Sequence, residues 1–483
     1  MFLRRVKEGC QGKFHPALNS TGTRQLPWFA TSWHGVGNTK ISPHTTLPNR
    51  RGQTRAQYAT ITQQPRTLDG PISSGGSPAV SSAVTRAVAN RGRQHLRRAI
   101  RVALFTLAFA GPAVAQAITQ SSPESRQSPG FDQLSTDANA ARQSGDVVRA
   151  SELYAQALRI NPSWPDGWWH LGQLRYGADD FAQATDAFTH YLNLVPDAAP
   201  ATALRGLCEF ELGQFEPSLR DVQHALSLGA ADDSRNTQIL RYHEGLLLTK
   251  LGRFEEALTA YGFFARQHIS NDELLSAVGL AALRISQFPK DADPAQRDMI
   301  AQAGHATFLL LSGNKPDAAQ AFQTFFQRYP TAANVHYTLG YLVYPTDQDA
   351  AIAEFRRELV VDPGNAVDHT MLAWALLMNN SPAQALPEAK KAAEEAPTLP
   401  LAQLSLGRAL LETGDTKSAT TLLENALSLD PQNLEIHIAL ARAYSESGRE
   451  DDARRERLAC LQLTQQTSKP APPMGQQGVS PAQ

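Results

Sequence analysis

Proline recurs along this chain at a fixed spacing. From Phe131 onward it stands at 162, 196, 330, 363, 397 and 431; three of the four adjacent gaps are 34 residues, and the gap from Pro330 to Pro363 is 33. Twelve residues before each of these prolines stands Ala150, Ala184, Ala318, Ala351, Ala385 or Ala419, and eight residues before each stands Tyr154, Phe188, Phe322, Phe355, Ala389 or Leu423. Three columns in register over six units mean one supersecondary unit used repeatedly. A unit this short cannot bury its apolar face alone, so neighbours must stack into a linear array.

The unit reads as a helix pair. In "WWHLGQLRYG" and "LSLGRALLETG" apolar residues fall every three or four positions and make one stripe; a short turn follows, and a second stripe such as "DAAQAFQTFFQRYP" packs back on the first. Small residues such as Gly172, Gly206 and Gly407 permit close approach, and the proline ends the second helix because it lacks the N–H and clashes with the preceding turn. This pattern resembles the tetratricopeptide repeat (TPR) family, whose signature positions Trp168, Leu171, Gly172, Ala184, Phe188 and Pro196 match in one unit, with Tyr176 one place off its usual Tyr. The resemblance implies an all-α, right-handed α-solenoid. Units are expected at 131–164, 165–198, 199–232, 238–271, 299–331, 332–365, 366–399, 400–433 and 434–467, with Leu134, His336, His369 or His437 where the family usually has Trp.

Between 272 and 298 the register breaks. "DELLSAVGLAALRIS" looks like a first helix with Gly279 at the close-approach position, but "QFPKDADPAQ" stands where its partner should be. A lone helix in a solenoid must bury its stripe against both neighbours, so a change of superhelical pitch or a hinge is expected between a first block at 131–271 and a second at 299–467. The Pro/Gln-rich 468–483 is expected to be a disordered tail.

The segment ahead of the repeats is unlike them. Residues 1–115 hold 16 of the 45 basic residues and two of the 46 acidic ones, Glu8 and Asp69, which leaves the remainder with a net charge of −15. Residues 1–89 are polar, aperiodic and rich in Gly, Pro, Ser and Thr, as a disordered leader is. Then "NRGRQHLRRAIR" is followed by "VALFTLAFA" and "GPAVAQA", the order of a secretory signal over 90–115. Cleavage is expected after Ala115, with Ala113 and Ala115 as the small pair and Gln116 as the mature start before a linker at 116–130. Nine strongly apolar residues fall short of the roughly twenty that span a bilayer, so the segment reads as a cleaved signal ahead of an uncleaved anchor. No Met occurs between Met1 and Met299, so residues 1–87 read as an over-extended gene start, with Val84 or Val88 as the true one; an organelle presequence is the competing reading.

Motifs for catalysis, metal binding and phosphate cradles are missing from the repeats: no H-E-x-x-H, no paired C-x-x-C, no G-x-x-x-x-G-K-[ST] and no G-x-G-x-x-G. The sequence therefore calls for no enzyme, no cofactor and no metal, and the acidic body is unsuited to nucleic acid. Cys208 and Cys460 read as small buried hydrophobes, and His336, His369 and His437, at equivalent places in their repeats, as packed or capped imidazoles. The TPR resemblance implies that first helices line a concave groove, with the fifth, ninth and twelfth positions of each unit facing it. Those positions include Trp169, Tyr176, Tyr242, Tyr337, Tyr341, Tyr344 and Trp374, extended by Phe210 and Met378, with Arg408 and Arg442 as candidate cations. Tyr337, Tyr341 and Tyr344 share a helix face on spacing alone. Such residues either bind a peptide or protein segment or seal adjacent helices. The expectation is an exported, periplasmic or secreted non-enzymatic scaffold for a protein or peptide partner; the alternative is a membrane-associated accessory subunit of an envelope export, assembly or polysaccharide machine. Alanine at Tyr341 and Trp374 is expected to abolish capture and leave the fold intact.

Overall fold

The computed structural model of the chain describes residues 129–229 and 234–468, and all regular structure in them is helical. The expected leader, the signal with Ala113, Ala115 and Gln116, and the tail beyond Ser468 lie outside the described residues. Four helix pairs come first: α1 (Pro129–Gln143) with α2 (Val147–Ile160), α3 (Pro165–Gly177) with α4 (Phe181–Leu194), α5 (Ala199–Glu211) with α6 (Phe215–Ser227), and α7 (Ser234–Lys250) with α8 (Phe254–Arg266). Three helices follow, α9 (Asp272–Ala282), α10 (Arg297–Leu311) and α11 (Lys315–Arg328). Four further pairs complete the array: α12 (Val335–Val343) with α13 (Gln348–Val361), α14 (Ala366–Met378) with α15 (Pro382–Glu395), α16 (Pro400–Thr413) with α17 (Thr416–Leu429), and α18 (Leu434–Glu446) with α19 (Glu450–Ser468).

The proline column acts as its chemistry requires. α2, α4, α11, α13, α15 and α17 each end two residues before a column proline, because the residue ahead of proline is pushed out of the helical region. Asn161, Asp362 and Asp430 in that place have ψ near 80–85° and still give their N–H to the last turn. Within a pair, the second helix can start on a side-chain cap: for α2 Asp146 accepts from the Arg149 N–H at 3.1 Å, and for α17 Asp415 from the Ser418 N–H at 3.1 Å.

Both other columns are core. All six column alanines and all six residues four places on are buried. Two of the close-approach glycines face a column residue of their own unit: a Cβ on Gly172 would sit 2.6 Å from the Phe188 ring, and one on Gly407 2.7 Å from Leu423. Successive first helices also pack on one another, α3 on α5, α7 on α9, α14 on α16 and α16 on α18, whereas second helices mainly meet their neighbours in sequence. The first helices are thus the more closely spaced, inner layer.

The irregular region is tightly built. α9 buries Leu274, Ala277, Val278, Leu280, Ala281 and Ala282, and packs on α7, α8 and α10. Its helical partner is α10, which sequence spacing assigned to the next unit. At their crossing a Cβ on Gly279 would lie 1.9 Å from the Ile300 carbonyl oxygen, and a Cβ on Gly304 1.9 Å from that of Leu275. The segment between them turns once as a 3₁₀ helix at Pro289–Asp291. A buried ion pair crosses the expected hinge: Glu255 of α8 holds Arg284, just past α9, and accepts from the Tyr337 hydroxyl of α12 at 2.8 Å. Thr338 Oγ1 donates to the Ala282 carbonyl at 2.8 Å across the same junction.

Candidate functional site

The inner layer carries the eleven residues picked out as groove-forming, but in two different states. Trp169, Phe210, Tyr242, Tyr341 and Met378 are half-buried and keep surface on this layer. Trp169 leans on Phe188 and Tyr191 with ring centroids 5.8 and 5.5 Å away. Tyr341 stacks at 6.4 Å on Tyr337. Burial, with the Glu273 carboxylate nearby, pushes the Tyr242 hydroxyl far up from its ordinary value.

Tyr176, Tyr337, Tyr344 and Trp374 are core residues, so the groove reading does not hold for their side chains. Tyr337 is 2% exposed because the irregular segment covers it: the Arg284 guanidinium lies 4.7 Å over its ring, and Glu255 accepts the hydrogen bond from its hydroxyl. Trp374 is 8% exposed and lies under the Arg408 guanidinium at 4.8 Å. The two candidate cations are committed within the chain. Arg408 reaches Glu435 at 3.4 Å, and Arg442 is bonded to Glu412 and, at 2.7 Å, to Glu446. Of the three same-face tyrosines, Tyr337 is covered by Arg284 and Tyr344 lies in the core of the following units, which leaves Tyr341 with surface.

The histidines form a bracket that spacing alone did not reveal. Six residues after a column proline, His369 Nε2 lies 3.0 Å from the Pro363 carbonyl and His437 Nε2 3.0 Å from that of Pro431. In other units Trp168 Nε1–H donates to the Pro162 carbonyl at 2.8 Å and Gln403 Nε2–H to that of Pro397 at 3.1 Å. Trp, His and Gln therefore do one job: each brings a side-chain nitrogen to the carbonyl of the column proline, in the turn just past the helix end. The His units add a second contact, from Nδ1 to Glu388 at 2.7 Å and to Glu456 at 2.6 Å, each 19 residues on. At the same offset Trp168 and Gln403 have Ala187 and Leu422. His336 keeps the carboxylate, Glu354 at 2.7 Å, and stacks at 3.7 Å on Phe326. Packed imidazoles, as expected, are what the structure contains.

Other titratable groups follow from burial. Desolvation pushes the Cys208 thiol up to about 12; Cys208 and Cys460 are both buried, as expected of small apolar side chains. Burial and the nearby Asp221 raise Glu209 to about 7. Burial and the adjacent Glu358 raise Asp368 to about 8, and its Oδ2 has no hydrogen-bond partner. Burial opposes the charge on Glu255, yet the Arg284 ion pair and its hydrogen bonds hold that carboxyl below the usual range. Among the described residues no group of three or more His, Cys, Asp or Glu side chains could hold a metal ion, and no helix is long and apolar enough to cross a membrane.

Residues 410–456 match a tetratricopeptide repeat model. Over 326 residues, 66% of this chain and 27% of the relative, the sequence is 23% identical to the Protein CTR9 homolog of Arabidopsis thaliana. Over 150 residues, 29% of this chain and 10% of the relative, it is 31% identical to the Cellulose synthase operon protein C of Xanthomonas axonopodis pv. citri (strain 306). The chain thus spans about a quarter and a tenth of the length of these curated relatives. Among solved structures it is similar to MamA (TM-score 0.31, 18% identity, 34% of this chain and 96% of that one) and to yeast Tom70 (TM-score 0.24, 14% identity, 69% of this chain and 94% of that one).

Proposed function

This chain being a tetratricopeptide repeat protein, we propose that it is a non-catalytic scaffold whose inner helix layer captures an extended segment of a partner protein. The observation that carries this reading is the row of half-buried side chains on that layer, Trp169, Tyr242, Tyr341 and Met378. Large rings that keep part of their surface in water are poorly placed as core and well placed as contact area, because they offer much apolar surface at little rotamer cost. Arg408 and Arg442 serve the layer as internal clamps, so recognition rests on apolar and aromatic contact rather than on a carboxylate grip. The acidic balance of the repeats disfavours phosphate-rich partners.

The place of action belongs to the same proposal. The basic, apolar and small-residue order over residues 90–115 supports export, with the scaffold working outside the cytoplasm. A second reading, an accessory subunit at the membrane of an envelope polysaccharide machine, is favoured by the 150-residue likeness to Cellulose synthase operon protein C. Fractionation of native cells with terminal sequencing separates them. A start at Gln116 in the soluble extracytoplasmic fraction supports the first; a chain that keeps its apolar segment and stays in the pellet after a carbonate wash supports the second. For the capture itself, Trp169→Ala with Tyr341→Ala is expected to abolish partner recovery while the array keeps its helical circular dichroism, with some loss of melting temperature from the contacts to Phe188 and Tyr337; full recovery would overturn the reading.

A further inference from the structure

The irregular segment after α9 does more than join two helices. Phe288 leaves its own unit and packs against the turn between α5 and α6, with its ring 5.3 Å from Phe210 and 5.5 Å from Phe215, both edge-on. His243 of α7 closes one side, edge-on to Phe210 at 5.0 Å. The Lys250 ammonium stands 5.7 Å over the Phe288 ring and donates to the Ser286 carbonyl at 3.4 Å. The Phe288 ring is thus seated in an aromatic site with a cation above it, and is only 8% exposed.

The way the segment is held matters as much as the site. Backbone hydrogen bonds at 285–292 run within the segment or to the end of α9: Ile285 N–H to Leu280, Gln287 N–H to Ile285, Asp291 N–H to Phe288 and Ala292 N–H to Pro289. No ladder ties this stretch to α5, α6 or α7. Side chains alone make the join: the Phe288 ring enters the buried cluster built by α6, α7 and α8, and the Lys250 ammonium meets both that ring and the Ser286 carbonyl, as an anchor residue of an extended peptide enters a pocket.

We propose that residues 286–290 are a ligand in cis, filling a site on the inner layer that accepts, in their place, an extended partner segment carrying an aromatic side chain with a free backbone carbonyl two residues before it. The inference rests on the reading of the inner layer as a binding face. It adds that part of this face is strapped shut by the chain itself, so that a partner must displace Phe288. Tethering gives the strap a high effective concentration, and a competing segment sees only the fraction of molecules in which the strap has lifted.

A fluorescein-labelled synthetic peptide of residues 284–293 tests this without the natural partner. Fluorescence anisotropy is measured with the wild-type chain, Phe288→Ala, Phe288→Leu and Phe288→Ala with Phe210→Ala, each checked for folding by far-UV circular dichroism. Vacating the site is expected to tighten binding by about tenfold or more over wild type, and removing Phe210 as well is expected to abolish it. Phe288→Leu keeps an apolar side chain in the site and decides the matter if the alanine variant unfolds: it should bind more tightly than wild type. The proposal is overturned if the folded Phe288→Ala and Phe288→Leu single variants bind no more tightly than wild type, or if a peptide with Ala in place of Phe binds equally well. In either case partner capture through Trp169 and Tyr341 stands or falls separately, since neither belongs to the strap.

Discussion

The bracket on the proline turn makes a prediction in which chemically unlike residues should substitute for one another. His369→Ala removes two hydrogen bonds, 3.0 Å to the Pro363 carbonyl and 2.7 Å to Glu388. The ring is 2% exposed, so its loss also leaves a void beside the Pro363 carbonyl, whereas Glu388 keeps access to water. With about 0.5–1.5 kcal/mol net per bond, and more where a buried partner is left unsatisfied, the loss should be about 3 kcal/mol. His369→Gln should recover about 1 kcal/mol or more of it, because Gln403 shows that a glutamine amide reaches the same carbonyl in the following unit at 3.1 Å. Glu388→Gln should cost little in the His369→Gln background and more in the wild type, a coupling that a double-mutant cycle reads directly. A repeat array need not unfold in one step, so the assay is urea unfolding followed by hydrogen exchange, with loss of protection expected first in α14 and α15. Equal losses for the alanine and glutamine variants of His369 would show that the carbonyl bond contributes nothing and that the ring acts by packing alone.

Three further outcomes follow from the geometry. Gly279→Ala or Gly304→Ala places a Cβ 1.9 Å from a carbonyl oxygen of the facing helix, where only backbone movement can relieve it, so each should cost about 3 kcal/mol or more and lower the melting temperature of the middle of the array. Asp368→Asn should stabilise the chain in a pH-dependent way. Its carboxyl is raised to about 8 in the fold, so the stability it permits is full below the ordinary aspartate value of about 4 and is lost as pH rises toward 8. The variant should match the wild type at about pH 4 and exceed it by about 1 kcal/mol or more at pH 8, read by chemical denaturation at both; a gap that narrows with rising pH would contradict the assignment. Trp374→Ala should cost about 3–5 kcal/mol because the ring is core beneath Arg408; an unchanged melting temperature would return it to the binding face.

What sequence spacing could show was the part governed by chain-local rules. Proline at the column position ends the second helix and small residues mark close approach, so the columns at Ala150, Tyr154 and Pro162 and their repeats carried the helix pairs and the core directly. Side-chain fate on the inner layer depends on what lies across it, and for Tyr337 that is Arg284, 53 positions away through an irregular segment with no repeat register. The pairing of α9 with α10 was hidden because 14 residues separate them, where other pairs are joined by two to four. One further signal lies in the sequence itself: His369 and His437 each have Glu 19 residues on, while Trp168 and Gln403 have Ala and Leu there. That co-occurrence marks the His–Glu contact, while the bond to the proline carbonyl, which Trp168 and Gln403 make as well, leaves no such trace.

The central claim is that the inner helix layer, not the outer one, meets the partner. A photo-crosslinking amino acid placed at Tyr341, half-buried on α12, and separately at Val360, 81% exposed on α13, tests it in native cells. The account predicts a discrete crosslinked partner from position 341 and none from 360, although 360 is far more accessible. Crosslinks from 360 with silence at 341 would contradict it, and would place recognition on the second helices.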